Sequence, residues 1–275
     1  MNTTTTDFET IFIQKHDSRK WEIGDGMAIN RGFLFGDGIF ETMVLKNQKI
    51  RFSDFHKSRV EEGCGVLGLE SSTLSTLEEI EEAVLKMASN NQPLRIRWNV
   101  FRAGLGKYTP ETDRIGENLL IQSFHPAVSI KQHAYFSKAY FVPQTPWSHC
   151  KTLNALPYVL ANRQRKQLGK DEVILLNSDG YISEAGAANI FWEKTGRFYT
   201  PSLECSCIAG VGRNAILNHF QKNSIPLAEG KFKPEELMSA DRVFVSNVTG
   251  ISYIQEIDGK RFDISRIDQL DQLFH

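Results

Sequence analysis

Four short stretches carry residue types that chemistry could use. Gly210-Val211-Gly212 stands ahead of an amphipathic run ending near Lys222, and the N–H groups and dipole of a helix start favour an anion such as a phosphate. His56 and Arg59 fall one helical turn apart and share a face. Lys151 lies between a loop and a helix, and a lysine amine can act as a nucleophile. Glu184 follows a turn and precedes a strand. Taken singly, each has a plainer alternative. Gly210-Val211-Gly212, like the turn signal Gly36-Asp37-Gly38, reads as a plain loop, His56 with Arg59 as a solvated face, and Lys151 and Glu184 as surface charges. No P-loop pattern and no G-x-G-x-x-G occurs, so a nucleotide fold is not supported.

The elements that position these residues follow from periodicity. Ile11 to Lys15 and Ile39 to Leu45 read as strands, with a turn at Lys46–Gln48 before Ile50–Phe52. Ser53 or Asp54 can cap a helix to about Val66, and Ser75 with Glu78 forms a capping box for a helix to about Ser89. Leu94 to Phe101 and Leu119 to Gln122 alternate as strands, and His125-Pro126 then breaks the pattern. A linker at 123–128 is expected, dividing the chain into a domain of residues 1–122 and one of residues 129–275. The second part opens with a strand from Ala134 to Val142 and a helix from about Pro157 to Leu168. A strand at Val173 to Leu176, a turn at Ser178-Asp179-Gly180 and a strand at Asn189 to Trp192 follow. A helix to about Lys222, a strand at Val243 to Val245 and a closing helix from Ile264 to Phe274 complete the pattern. Helices and strands mix without a regular βαβ period, which predicts an α+β fold.

The length of 275 residues, 41% hydrophobic and 24% charged, suits two modest domains or one large one with a substantial core. Lys and Arg number 32 against 33 Asp and Glu, so the net charge of −1 supplies no global field for nucleic acid or an anionic membrane. Any anion site must be local. Cys64, Cys150, Cys205 and Cys207 show no metal spacing and too few thiols for a disulfide framework, which fits a reducing cytoplasm. Met1 to Asp7 is unlike an export signal, and no stretch approaches the roughly 20 apolar residues of a membrane span.

Order and spacing change the weight of the single signals. The run Asn30-Arg31-Gly32-Phe33-Leu34-Phe35-Gly36-Asp37-Gly38-Ile39-Phe40-Glu41-Thr42 resembles the first signature of the class IV aminotransferases, which include branched-chain and D-amino-acid aminotransferases and 4-amino-4-deoxychorismate lyases. His56 to Arg59 resembles the H-x-x-R element of that family, Lys151 to Asn154 its K-x-L-N element, and Ser183 to Phe191 its E-x-x-x-x-N element. Thr200-Pro201, Gly210 to Arg213 and Ser246 to Ile254 continue the series. The resemblance implies the fold-type IV architecture: a smaller N-terminal α/β domain, a larger barrel-like C-terminal domain and pyridoxal 5'-phosphate (PLP) between them. It also implies a small-molecule substrate and a homodimer. Lys151 would condense with the cofactor aldehyde, Glu184 would keep the pyridine nitrogen protonated, and Arg59 would grip the phosphate as a fork, joined by the backbone of Val211 and Gly212.

Within the family, Leu156 stands where branched-chain aminotransferases carry a tyrosine. Phe40 replaces a tyrosine of the D-amino-acid branch, and Arg102 to Pro110 lacks the histidine of that branch. Thr42, Lys151-Thr152-Leu153-Asn154 and Ala187 to Trp192 resemble the lyases. The resemblance therefore implies Lys151, Glu184 and Thr42 as catalytic residues. Arg59, Val211, Gly212 and Asn247 would hold cofactor together with Lys151 and Glu184, with Asn247 replacing a threonine at the phosphate. Phe40, Thr42, Arg102, Lys107 and Ser246 would contact substrate, with Lys107 where the lyases carry an arginine. The reaction implied first is aminodeoxychorismate to p-aminobenzoate and pyruvate. Transamination of branched-chain L- or D-amino acids, and a non-catalytic PLP-binding protein, are the alternatives.

Overall fold

Alternation of apolar and polar residues along the strand Leu94–Arg102 reads directly as burial: Leu94, Ile96, Trp98 and Val100 are buried, while Arg95, Arg97 and Asn99 between them are part-exposed. The computed structural model describes residues 10–15, 20–24, 29–88 and 92–274. Met1 to Asp7 and Ser89, on which two of the expectations fall, lie outside the described residues.

Contacts divide the chain into two units, the first made of Met1–His125 with Lys151–Asn154, the second of Pro126–Cys150 with Ala155–His275. The first contains β1 (Ile11–Lys15), β2 (Trp21–Ile23), α1 (Arg31–Phe35), β3 (Gly38–Lys46), β4 (Lys49–Ile50), α2 (Ser53–Leu67), α3 (Leu77–Met87), β5 (Leu94–Arg102) and β6 (Ile115–Ser123). Its sheet runs β2-β1-β6-β5-β3-β4. One core gathers the inward residues of that sheet with Val60 and Cys64 of α2 and Ile80 and Val84 of α3. Burying each such aliphatic side chain is worth roughly 1.5–3 kcal/mol.

Two helix starts differ from expectation. The capping box is Thr76 with Glu79, one residue later than Ser75 with Glu78, because Ser75 turns inward, its N–H and hydroxyl donating to buried Glu117. Helix α2 begins at Ser53, and the residue before it, Phe52, adopts a left-handed φ of 61° with no side-chain cap. The expected linker is tied down at both ends: Phe124 N–H donates to Pro93 within the first unit, and Ala127 N–H to Thr249 within the second. The division falls between His125 and Pro126. Lys151–Asn154, which a linear cut at 129 assigns to the second domain, groups with the first.

The second unit contains β7 (Ile130–Phe136), α4 (Leu156–Gln167), β8 (Glu172–Leu176), β9 (Ile182–Ala185), β10 (Asn189–Lys194), β11 (Arg197–Pro201), α5 (Val211–Lys222), β12 (Leu227–Gly230), α6 (Pro234–Met238), β13 (Arg242–Asn247), β14 (Gly250–Ile257), β15 (Lys260–Arg261) and α7 (Asp268–Asp271). Its curled sheet runs β12-β11-β10-β13-β14-β7-β8-β9, with β15 on β14. The expected strand from Ala134 to Val142 stops at Phe136, where the Ser137 hydroxyl accepts from Tyr140 N–H, and Val142 rejoins only as an isolated bridge to Asn177. The closing helix is shorter than Ile264–Phe274. Asp263 accepts from Ser265 N–H and hydroxyl, a local alternative to helix, and only α7 and a 3₁₀ turn at Gln272–Phe274 form.

Candidate active site

The first signature is a piece of engineering in the first unit. Asn30 caps α1, its side-chain oxygen accepting from Phe33 N–H, and Gly36 ends the helix at a left-handed φ of 67°. Gly38 is required by closeness: a Cβ there would lie 2.4 Å from the Val100 carbonyl oxygen. Asp37 between them accepts from Arg31 at 2.8 Å and Arg102 at 3.1 Å. Strand β3 then sends Glu41 into the core and Phe40 and Thr42 to the opposite face.

Glu41 is buried and accepts from Arg59 Nε at 2.7 Å, from Arg59 Nη2 at 2.5 Å and from His56 Nδ1 at 2.5 Å. Burial pushes the Glu41 carboxyl up, but the Arg59 charge and the His56 and Arg59 contacts outweigh it and bring it down to about 2. Burial holds the His56 imidazole below its usual range. The neutral tautomer with hydrogen on Nδ1 satisfies the carboxylate, while Nε2 is buried with no partner. The shared helical face of His56 and Arg59 is therefore a buried ion cluster rather than a solvated one. The Nε/Nη2 fork of Arg59, expected on a phosphate, is engaged by Glu41.

Lys151 joins this unit through backbone pairing. Phe40 N–H donates to the Lys151 carbonyl at 2.8 Å, Leu153 N–H to Gly38 at 2.9 Å, and Thr152 bridges Ile39. Lys151 Nζ consequently sits 4.5 Å from the Phe40 ring centre. Arg97, absent from the sequence-based candidates, lies 3.6 Å from that same ring and directly across from Thr42. Burial, with the charge of Arg95 adding to it, draws the Arg97 guanidinium down to about 10, so it remains a cation at neutral pH. Arg97 donates to Asn99 and Arg95 to Gln122, and among the described residues neither is ion-paired with a carboxylate. The signal that could have found Arg97 was the alternation of β5, which puts Arg95 and Arg97 on the face of Phe40 and Thr42 rather than in the core.

Two expected substrate contacts have other work. Arg102 is buried, ion-paired to Asp37 and Asp113, and donates to the carbonyls of Leu67 and Gly68, so it pins the turn after α1, the end of α2 and the loop after β5 in place. Lys107 is exposed, and what the fold uses is its carbonyl, which accepts from Arg31.

In the second unit Glu184 is buried on β9, its Oε1 accepting from the Tyr158 hydroxyl at 2.6 Å and from Ile208 N–H at 3.3 Å. Asn189, at the start of β10, holds that loop by donating to the Ile208 carbonyl, and its Oδ1 comes so close to Gly210 that a Cβ there would lie 1.8 Å away. The loop delivers Gly210 to the N-terminus of α5, where the first-turn N–H groups of Val211 and Gly212 have no acceptor within the helix. A Cβ on Gly212 would meet the Asn247 carbonyl oxygen at 2.9 Å, so glycine is the residue that fits there without a shift of the backbone beside it. Ser246, beside it on β13, has a buried hydroxyl with no partner. Asn247 differs from expectation: its Oδ1 accepts from Thr249 N–H and hydroxyl, and its amide donates to Ala187, so the side chain shapes the β13–β14 turn.

The donor sets suit PLP. The first unit offers an amine for an aldehyde. The second offers a buried carboxylate for a pyridinium, helix N–H groups for a phosphate, and the orphaned Ser246 hydroxyl for a polar ligand atom.

The amino-transferase class IV family profile matches residues 38–257, and the chain belongs to that family of PLP-dependent enzymes. It is 27% identical over 261 residues to a D-alanine aminotransferase of Listeria monocytogenes, covering 89% of this chain and 88% of the relative. It is 26% identical over 237 residues to an aminodeoxychorismate lyase of Bacillus subtilis, covering 79% and 76%. Its fold is that of the branched-chain aminotransferase of Thermoproteus uzoniensis, with a TM-score of 0.83 at 20% identity over 98% of this chain and 93% of the other. The architecture is thus fold-type IV. Among the described residues no helix is long and apolar enough to cross a membrane.

Proposed function

We propose that this enzyme is a 4-amino-4-deoxychorismate lyase. The observation that carries the reading is the face of the first sheet on which Lys151 and Thr42 accompany Arg97 and Arg95, two cations with no carboxylate partner among the described residues. Aminodeoxychorismate is a dicarboxylate, and planar guanidinium groups are suited to binding carboxylates. PLP, when bound, supplies an electron sink for the substrate carbon that loses its proton. Lys151 Nζ holds the cofactor and then removes the proton from the ring carbon bearing the substrate nitrogen. Glu184 keeps a proton on the pyridine nitrogen. Val211 and Gly212 N–H groups hold the phosphate, with Arg59 assisting. Arg97 and Thr42 orient the acid, and Ser246 donates to it. Departure of the enolpyruvyl group then aromatises the ring without an amino acceptor.

The supporting result is p-aminobenzoate and pyruvate formed from aminodeoxychorismate with no oxo acid added. Absence of p-aminobenzoate, with 2-oxoglutarate sustaining transamination of an L- or D-amino acid, overturns it in favour of the second reading, which the similarity to D-alanine aminotransferase favours. Borohydride reduction followed by peptide mapping should place the pyridoxyl label on Lys151, and Lys151→Ala should lose it. Within this proposal the enzyme works as a homodimer in the cytoplasm. Exposed Phe33 and Tyr108 supply apolar surface for a second copy, and all four cysteines are free thiols. A monomeric mass by light scattering would remove the dimer.

A further inference from the structure

Tyr158 lies in the first turn of α4, in a stretch whose sequence gives no functional signal. Its hydroxyl donates to Glu184 Oε1 at 2.6 Å, and the Ile208 N–H donates to the same oxygen at 3.3 Å. One turn further along α4, Asn162 donates to the Gly186 carbonyl at 2.8 Å and to the Tyr158 carbonyl at 2.9 Å. The helix is thus stitched to β9 and the connection that follows it at two points, and one of them is the Glu184 carboxylate itself.

We propose that Tyr158 is a positioning residue that sets the protonation of the cofactor ring by holding Glu184 as a carboxylate of fixed orientation. The proposal rests on the reading above, in which Glu184 meets the pyridine nitrogen. In a buried carboxylate–pyridine pair the shared proton resides on the partner of higher proton affinity. A hydrogen bond donated to the charged carboxylate lowers its affinity, and the proton moves to the ring. A hydroxyl does this without adding a cation that would repel a pyridinium, as an arginine would. Tyr158 remains a donor throughout the working range, because burial and then the Glu184 charge push its phenol well above the usual tyrosine range. The neighbouring Cys207 thiol, pushed up to about 12 chiefly by burial, is likewise neutral there.

The test is the ¹⁵N resonance of ring-labelled PLP in the holoenzyme, followed as a function of pH in wild type, Glu184→Gln, Tyr158→Phe and a variant with 3-fluorotyrosine at 158. Wild type should show a protonated ring and Glu184→Gln a neutral one. In Tyr158→Phe the ring should lose its proton at lower pH than in wild type, with turnover about tenfold lower for the lost bond to a charged group. The more acidic fluorotyrosine, a stronger donor, should move that transition to higher pH. If Glu184→Gln leaves the ring protonated, the assignment of Glu184 itself fails. If Glu184→Gln neutralises the ring while Tyr158→Phe titrates as wild type, the role of Tyr158 is overturned. Should Tyr158→Phe not fold, an unshifted transition in the fluorotyrosine protein overturns it equally.

Discussion

Glu41 and Glu184 are both buried glutamates on strands, each within a family signature, yet their surroundings differ. Glu41 is gripped by a guanidinium fork and an imidazole from α2, the arrangement that makes a carboxylate a structural anchor. Glu184 accepts from a phenol and a backbone amide, and these two donors steady a carboxylate without contributing a charge. Residue type and burial therefore do not separate an anchor from a reactive group. The chemistry of the donors does: cationic donors commit the negative charge inside the fold, whereas neutral donors stabilise it and let it act on a ligand.

Substitution should split the two carboxylates along that line. Glu41→Gln strands Arg59 in the core and should lower stability by about 3–5 kcal/mol, read as the urea midpoint of the apo-protein. A midpoint within experimental scatter of wild type would show the cluster to be incidental. Glu184→Gln should leave that midpoint nearly unchanged but reduce turnover on the order of 10²-fold, with PLP still retained. Near-normal turnover would remove its electrostatic role and with it the contrast.

Acid titration sharpens the contrast further and carries the smallest effect. The Glu41 carboxyl is depressed from its usual 4.5 to about 2 in the folded protein, so the unfolded chain takes up its proton first. The stability this confers is complete above about pH 4.5 and is lost as pH falls toward about 2. About 1 kcal/mol of it should be gone near pH 3.5, and Glu41→Gln should abolish that part of the acid limb in urea melts taken across the range.

How far the sequence could be read depended on the range of the interactions. Strands β1 and β5 and helix α5 were legible because alternation, helical period and a glycine start are local signals. So was the capping of α3, although Ser75 and Thr76 competed for the role and only Glu117, far along the chain, decided which faced inward. The strand expected to reach Val142 and the helix expected from Ile264 failed where a serine or aspartate side chain made a local hydrogen bond in place of the ladder.

By itself the sequence determined the family, the α+β character and the identity of Lys151 and Glu184 as the residues to examine, because signatures in order are a property of the chain. Tertiary structure decided what each charge does. It pairs Arg59 with Glu41, and Arg102 with Asp37 and Asp113. Arg97 and Tyr158 looked like nothing until β5 faced Phe40 and α4 reached Glu184. A charged or hydroxyl side chain takes its role from the partner across the fold, and partners brought together by folding leave no spacing in the sequence to read.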